Sequence, residues 1–143
     1  MTEVAFHFGA PNKLEYVGRL LRKAVGRGAR LVVLGPHDLV RRLDTHLWAL
    51  APTEFLAHCV DGDPSTARSP VLLTSALHPG LPASSVLLNL SNAVPEGFDR
   101  FARVIEVVSH DEEDRLAARG RWKHYAQCGI AIQKHDLNLK GAA

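Results

Sequence analysis

The chain has 143 residues, of which 46% are hydrophobic and 22% charged, a composition typical of a soluble globular protein with one domain. Its 17 basic and 15 acidic residues leave a formal charge of +2, which is too small to predict nucleic-acid binding for the chain as a whole. No apolar run is long enough to span a bilayer, and the start of the chain lacks the pattern of a signal peptide. The two cysteines form no CxxC motif. These features predict a cytoplasmic protein with reduced thiols.

A strand, a helix and a second strand are predicted at the start of the chain. The first strand covers residues 4–8. The helix begins after the N-cap Asn12 and stops at Gly26 or Gly28. The second strand, residues 30–34, is apolar after its arginine, as is typical of a parallel strand covered on both faces. A right-handed crossover is predicted for this unit.

The segment 38–58, DLVRRLDTHLWALAPTEFLAH, predicts a second helix that carries an aromatic residue outside its apolar face. At about 100° per residue, its leucines form one stripe with Val40 at the edge, and Asp38 is the predicted cap. Trp48 points roughly 130° from the centre of that stripe, and Phe55 follows in an extended segment. The two aromatics form either a satellite cluster under a neighbouring loop or a docking surface for another protein.

Strands continue to alternate with helical segments along the chain. Further strands are predicted at residues 55–60, 71–74, 86–90 and 104–108, with a short helical segment at 98–102. Alternation of this kind predicts a single α/β domain, residues 1–143, with a mainly parallel sheet and helices on both faces.

The last helix begins with a capping-box pattern, formed by Ser109 and Glu112, and is predicted to run to about Gln127. Residues 130–132 are predicted to return as a final strand. Residues 134–143 are polar or small enough to fray.

One face of this last helix combines cations with an indole along an arc of about 100°. The residues are Arg115, Arg119, Trp122 and Lys123. The pattern is compatible with a solvated basic face beside a packed tryptophan. It also suits the recognition of an acidic peptide, in which the cations bind carboxylates and the indole contacts an apolar side chain. A binding site for single-stranded nucleic acid is a third alternative, although such a site needs a longer row of charged residues than one helix supplies.

Catalytic, nucleotide and metal sites lack support in the sequence. The chain contains neither GxGxxG nor GxxxxGK[ST], and Pro36 removes an amide from the glycine turn after the second strand. The eight histidines lack the HxxxH and HExxH spacings of metal ligands, and no GxSxG elbow is present. No metal, cofactor or catalytic residue is therefore predicted, and the alternative is a small nucleotide-using enzyme that shares the fold.

Three stretches resemble the chi subunit of bacterial DNA polymerase III: RLLRKAV, RLDTHLWALAPTEFLAH and RLAARGRWKHYAQCG. The similarity covers nearly the whole chain. It implies a Rossmann-like fold without a nucleotide site and a noncatalytic adaptor of DNA replication. It also implies two protein partners, the psi subunit of the clamp-loader complex and the acidic, apolar C-terminal tail of the single-stranded DNA-binding protein. DNA would be reached only indirectly.

When the binding residues of the family are carried over by position, the resemblance implies a pocket for the tail on the last helix. Arg119 is the principal partner of the tail's carboxylate, Trp122 is the apolar wall, and Arg115 and Lys123 are supporting cations. The psi surface includes Trp48 and Phe55.

Three positions depart from the family pattern. Trp122 stands where tyrosine is expected, Gly120 where a better helix former is usual, and Ala126 where another basic residue is expected. The glycine costs about 1 kcal/mol of helix propensity relative to alanine, and the alanine weakens the positive field outside the pocket. An affinity for the tail below that typical of the family is therefore expected.

Overall fold

Seven strands and three α-helices form the part of the chain that the computed structural model describes, which is residues 2–49, 58–60, 71–77 and 86–136. In chain order they are β1 (Glu3–Ala10), α1 (Lys13–Gly26), β2 (Leu31–Leu34), α2 (His37–Ala49), β3 (His58–Val60), β4 (Val71–Thr74), β5 (Val86–Asn89), β6 (Arg103–Ser109), α3 (Glu112–Gln127) and β7 (Ile132–Asp136). One 3₁₀ turn, Phe98–Arg100, precedes β6.

All of these strands lie in one sheet with the order β3-β4-β2-β5-β6-β1-β7. Every neighbouring pair among the described strands is parallel, so the predicted α/β fold with a parallel sheet is confirmed. The chain leaves β1 through α1 toward β2, and it leaves β6 through α3 in the opposite direction, toward β7. The order therefore reverses between β1 and β6, the kind of position at which open α/β sheets bind ligands at the carboxyl ends of their strands.

Helices cover both faces of the sheet, as predicted. On one face, α1 and α2 bury apolar residues such as Leu21 and Leu43. On the other face, α3 buries Ala118 and Tyr125. None of the helices in the described part of the chain is long and apolar enough to cross a membrane.

The predicted bounds of α1 are confirmed. The side-chain oxygen of Asn12 accepts a hydrogen bond from the amide of Glu15 at 3.1 Å, and the helix ends at Gly26. Gly28 follows with a φ of 84°, a left-handed conformation that glycine adopts readily at helix ends.

The apolar stripe of α2 is confirmed where its side chains are described, because Val40, Leu43 and Leu47 are buried. The predicted capping role of Asp38 is wrong. The helix already begins at His37, and the carbonyl of Pro36 accepts its first hydrogen bond, from the amide of Val40 at 2.9 Å.

The predicted capping box of α3 is also wrong. The N-cap is Asp111 and the first helical residue is Glu112, whereas Ser109 is the last residue of β6. The hydroxyl of Ser109 donates to the carboxylate of Asp114 at 2.9 Å. The same hydroxyl accepts a hydrogen bond from the amide of Asp111 at 3.2 Å, so it stabilises the turn before α3 and does not cap the helix itself.

The final strand lies further along the chain than the predicted residues 130–132. It covers Ile132–Asp136 and pairs in parallel with β1. As the outermost strand of the described sheet, β7 has only one neighbour, and its sequence IQKHD lacks the apolar run of a central strand. Lys134 and His135, predicted to fray, therefore belong to the sheet.

Candidate functional site

A cleft of about 570 Å³ opens at the carboxyl ends of β1 and β6, where the strand order reverses. β1, the loop after β6, α3 and β7 all contribute to it. The lining residues are Phe8, Gly9, Ser109, His110, Arg115, Ala118, Arg119, Trp122, Lys123 and Lys134. Gly9 has a φ of 81° and lies where the register of β1 with β6 shifts, so β1 has a bulge at the edge of the cleft before Ala10 pairs again with β6.

All four residues predicted on the last helix line this cleft. Arg115, Arg119 and Lys123 are exposed, whereas Trp122 is half-buried. The indole packs against Phe6, with 5.0 Å between the ring centroids. The tryptophan therefore packs in the core beneath α3 and also forms a wall of the cleft. The helix thus has both a packed tryptophan and an exposed basic face, and the two line the same cavity.

Two further lining residues were not singled out from the sequence. The ring of Phe8 lies 6.2 Å from the indole of Trp122, and Nζ of Lys134 lies 5.5 Å from the centroid of the Phe8 ring. A cation over an aromatic face is attracted by the ring's negative potential. Lys134 reaches this position because β7 pairs in parallel with β1, where Phe6 is opposite Lys134.

The chemistry of the cleft suits a ligand that is both anionic and apolar. Four cations and two aromatic rings line it, and the described lining residues include no carboxylate. A guanidinium can donate two parallel hydrogen bonds to one carboxylate, and aromatic rings provide a large apolar contact area.

Asp114 holds the loop between β6 and α3 against the start of α1. Its carboxylate accepts hydrogen bonds from the amide of Ser109 at 2.8 Å and from its hydroxyl at 2.9 Å, and Nζ of Lys13 lies 3.2 Å away. Burial by itself raises the pKa of Asp114, but the hydrogen bonds from Ser109 and the charge of Lys13 hold that pKa below its ordinary value. The backbone amide at the end of β6 is thus hydrogen-bonded by the protein's own carboxylate.

Replacing Asp114 by asparagine is expected to lower the free energy of unfolding by about 1.5 kcal/mol near neutral pH, the scale of a hydrogen bond to a charged group. Because the folded-state pKa is lowered, the contribution of the carboxylate is present above the unfolded pKa of about 3.9 and is lost as the pH falls through the folded value. Urea unfolding of both proteins at about pH 7 and about pH 3 measures this difference.

The matched control is Asp111→Asn, because the Asp111 side chain makes no capping hydrogen bond and asparagine is an equally good cap. This control should change stability little at either pH. An equal loss for the two substitutions, or a loss at Asp114 that does not shrink in acid, would contradict the assigned role.

A buried charge network anchors α3 beneath the cleft. Glu106, in the middle of β6, is fully buried. Its carboxylate accepts hydrogen bonds from Nε of Arg121 at 3.0 Å, from the Tyr125 hydroxyl at 2.6 Å and from Nδ2 of Asn89 at 2.9 Å. Burial raises the pKa of Glu106, and the Arg121 charge together with these hydrogen bonds opposes the rise. Because Arg121 and Tyr125 must face the sheet, the network sets the rotation of α3 and leaves its cationic side toward the cleft.

The positions that depart from the family pattern differ in their relation to the cleft. A Cβ added at Gly120 would meet no atom within 4 Å among the described residues, so packing does not require a glycine there. Ala126 is exposed and does not line the cleft. Its effect on tail binding stays a prediction.

The two aromatics predicted to form a docking surface are not both described. Trp48 is the penultimate residue of α2, but its side chain lies outside the described part of the chain, as does Phe55 entirely. Their proximity stays a prediction. The described part of α2 exposes Arg41, Arg42 and Thr45.

The fold and the cleft define a class of protein: a parallel α/β domain whose switch-point cleft combines cations with aromatic rings. A family model described as DNA polymerase III chi subunit, HolC, matches residues 1–133. The chain belongs to this chi subunit family, and it is therefore a replication accessory protein.

Two relatives named DNA polymerase III subunit chi are similar to this chain over 126 residues. The protein from Pseudomonas aeruginosa is 29% identical, and the match covers 87% of each chain. The protein from Haemophilus influenzae is 24% identical, with coverage of 87% of this chain and 88% of the relative.

Solved structures similar to this one include the C-terminal domain of the DEAD-box protein Dbp5. It has a TM-score of 0.65 and 13% identity, and the match covers 95% of this chain and 91% of that domain. A variant of the Dbp5 C-terminal domain from S. cerevisiae, bound to Gle1 and IP6, has a TM-score of 0.62 and 14% identity over 94% of this chain and 90% of that chain. Identities this low show a shared fold alone.

Proposed function

We propose that the protein is a noncatalytic replication adaptor whose cleft binds the acidic, apolar C-terminal tail of the single-stranded DNA-binding protein. The observation that carries this proposal is the meeting of cations and aromatic rings, without a carboxylate among the described lining residues, in one cleft. Membership in the chi subunit family supports it. Bound in this way, the protein links the polymerase to coated single-stranded DNA.

Arg119 is the principal partner of the tail's terminal carboxylate. It lies one helical turn from Arg115 on one side and one turn from Lys123 on the other, so an anion beside Arg119 experiences the summed field of three cations. Its planar guanidinium also matches a carboxylate geometrically. Lys134, on the opposite wall of the cleft, is available for a second acidic group of the tail.

The apolar part of the tail contacts Trp122 and Phe8. Their rings are neighbours in the cleft, with 6.2 Å between the ring centroids, and the small side chain of Ala118 also lines it. Burying one large apolar side chain contributes roughly 1.5–3 kcal/mol, so the apolar and ionic parts of the interaction are comparable in size.

Titration of a fluorescent tail peptide tests this proposal. The free-acid peptide is expected to bind at least about tenfold more tightly than the same peptide with an amidated C-terminus, since the amide removes the charge that Arg119 pairs with. A peptide with the same composition in scrambled order controls for general attraction to the basic face. Equal affinity for the acid and the amide would remove the carboxylate assignment.

We further propose that Trp48, near the end of α2, and Phe55, which follows the helix in the sequence, bind the psi subunit. Trp48→Ala and Phe55→Ala should each weaken psi binding by about 2 kcal/mol if both are interface hot spots, which is about thirtyfold in affinity. Calorimetric titration with purified psi measures this change, and circular dichroism checks that each variant is folded.

Arg42→Ala is the control for the psi titration, because it removes an exposed side chain from the same helix that points about 120° away from Trp48, and it should change the affinity little. If both aromatic variants bind psi as the wild type does, or if both simply unfold, the surface has been assigned wrongly.

A further inference from the structure

The positive charge of this protein is concentrated in a stretch that the cleft does not use. Residues 16–37 contain five arginines and lysines and no acidic residue, although the whole chain has a formal charge of only +2. The rest of the chain therefore has a formal charge of −3. Charge of one sign gathered in one region creates a local positive potential, which attracts anionic partners.

Three of these cations form a row that follows the exposed ridge of α1 and ends at the C-cap residue Arg27. Arg19, Lys23 and Arg27 are all exposed and are spaced four residues apart, which is about 6 Å along a helix axis for each step. The opposite side of α1 packs on the sheet through the buried side chains of Val17 and Leu21. The row therefore faces away from the sheet, on the other face from the cleft.

The stability of α1 does not explain why these cations lie in a row. Only one acid shares the ridge, and it is Glu15, whose Oε1 lies 3.6 Å from Nη2 of Arg19 with both side chains more than half exposed. Such a pair contributes little in water. The helix dipole favours a cation in the last turn, where Lys23 lies, but its effect falls off within that turn and does not reach Arg19.

We propose that this row binds the phosphate backbone of single-stranded DNA directly, in addition to the indirect link through the tail of the single-stranded DNA-binding protein. A flexible strand can align successive phosphates with a straight row of cations, whereas the backbone of a duplex curves away from it. All three residues of this row are cations, and Tyr16, on the same side of α1, is half-buried and hydrogen-bonded to His7, so the contact is electrostatic and independent of sequence. A replication accessory protein works where such strands are present.

The number of cations sets the expected strength and salt dependence. Each phosphate neutralised on a single strand contributes a slope of about −0.7 to the dependence of log affinity on log salt. Three contacts therefore predict that affinity falls about twentyfold between roughly 50 and 200 mM salt.

Fluorescence anisotropy of a labelled oligothymidylate tests the proposal on the full chain. All proteins carry Arg119→Ala and Lys123→Ala, which removes two of the four cleft cations whether or not the cleft binds a tail. In that background, Lys23→Glu with Arg27→Glu is expected to weaken binding about tenfold or more at low salt, and Lys23→Gln with Arg27→Gln by a smaller factor.

The matched control is Arg41→Glu with Arg42→Glu, which makes the same change in net charge at exposed positions of α2 and should leave affinity nearly unchanged. An equal loss from the two charge reversals would overturn the proposal, because the general field would then explain binding. Binding without the predicted salt dependence, tighter binding of a duplex of equal length, or equally strong competition by polyglutamate would each overturn it as well.

Discussion

Replacing Arg121 by methionine is expected to lower the free energy of unfolding by about 3–5 kcal/mol, the usual loss when one partner of a buried ion pair is removed. The carboxylate of Glu106 is fully buried and would keep only the hydrogen bonds from Asn89 and Tyr125. Methionine fills similar volume, so a cavity contributes little to the loss. Urea unfolding followed by circular dichroism measures the change.

The pH dependence of this loss has a definite sign. Burial already raises the pKa of Glu106, and without the guanidinium it rises further. A raised carboxyl pKa favours the folded state below the unfolded value of about 4.3, and this advantage is lost as the pH rises through the folded value. The Arg121→Met variant should therefore lie closest to the wild type in mild acid and furthest from it at neutral pH.

Two further variants separate charge from packing. Arg119→Met makes the same substitution at an exposed position of α3 and should change stability by less than about 0.5 kcal/mol. Glu106→Gln combined with Arg121→Met leaves no uncompensated charge, so it should recover much of the stability lost by Arg121→Met. A double variant less stable than the single one would contradict this account.

Replacing Arg119 by alanine is expected to weaken binding of the free-acid tail peptide by roughly 1.5–3 kcal/mol, the range for hydrogen bonds to charged groups. This is roughly a tenfold to hundredfold loss in affinity. Lys123→Ala should cost less, because an ammonium cannot make the paired hydrogen bonds of a guanidinium. Anisotropy titrations at low and high salt measure both variants.

The salt dependence distinguishes the ionic part of binding from the apolar part. Exposed cations are screened, so the effect of Lys123→Ala should fade at high salt, whereas that of Trp122→Phe should persist. Phenylalanine is used because the indole also packs on Phe6, and alanine would disturb the core. Arg103→Ala, at the amino end of β6, is the control. An Arg119→Ala variant that binds as tightly as the wild type would exclude this helix as the carboxylate site.

The elements that the sequence predicted well are those whose signals lie within a few neighbouring residues. The cap at Asn12 and the end of α1 at Gly26 depend on local backbone preferences. The common face of Arg119 and Lys123 follows from helix geometry alone. These local signals also identified the α/β class, because buried parallel strands are continuously apolar.

The parts that the sequence did not predict depend on contacts between distant residues. Glu106 interrupts the apolar strand RVIEVVS, and that charge was the available signal for a buried network. Its partner Arg121, however, lies on the next element of the chain. The tertiary structure alone decided this pairing and placed Lys134 opposite Phe6, at the wall of the cleft. The physical reason is that strand order and register are set by the energies of packing and hydrogen bonding between segments far apart in the chain, which no local pattern contains.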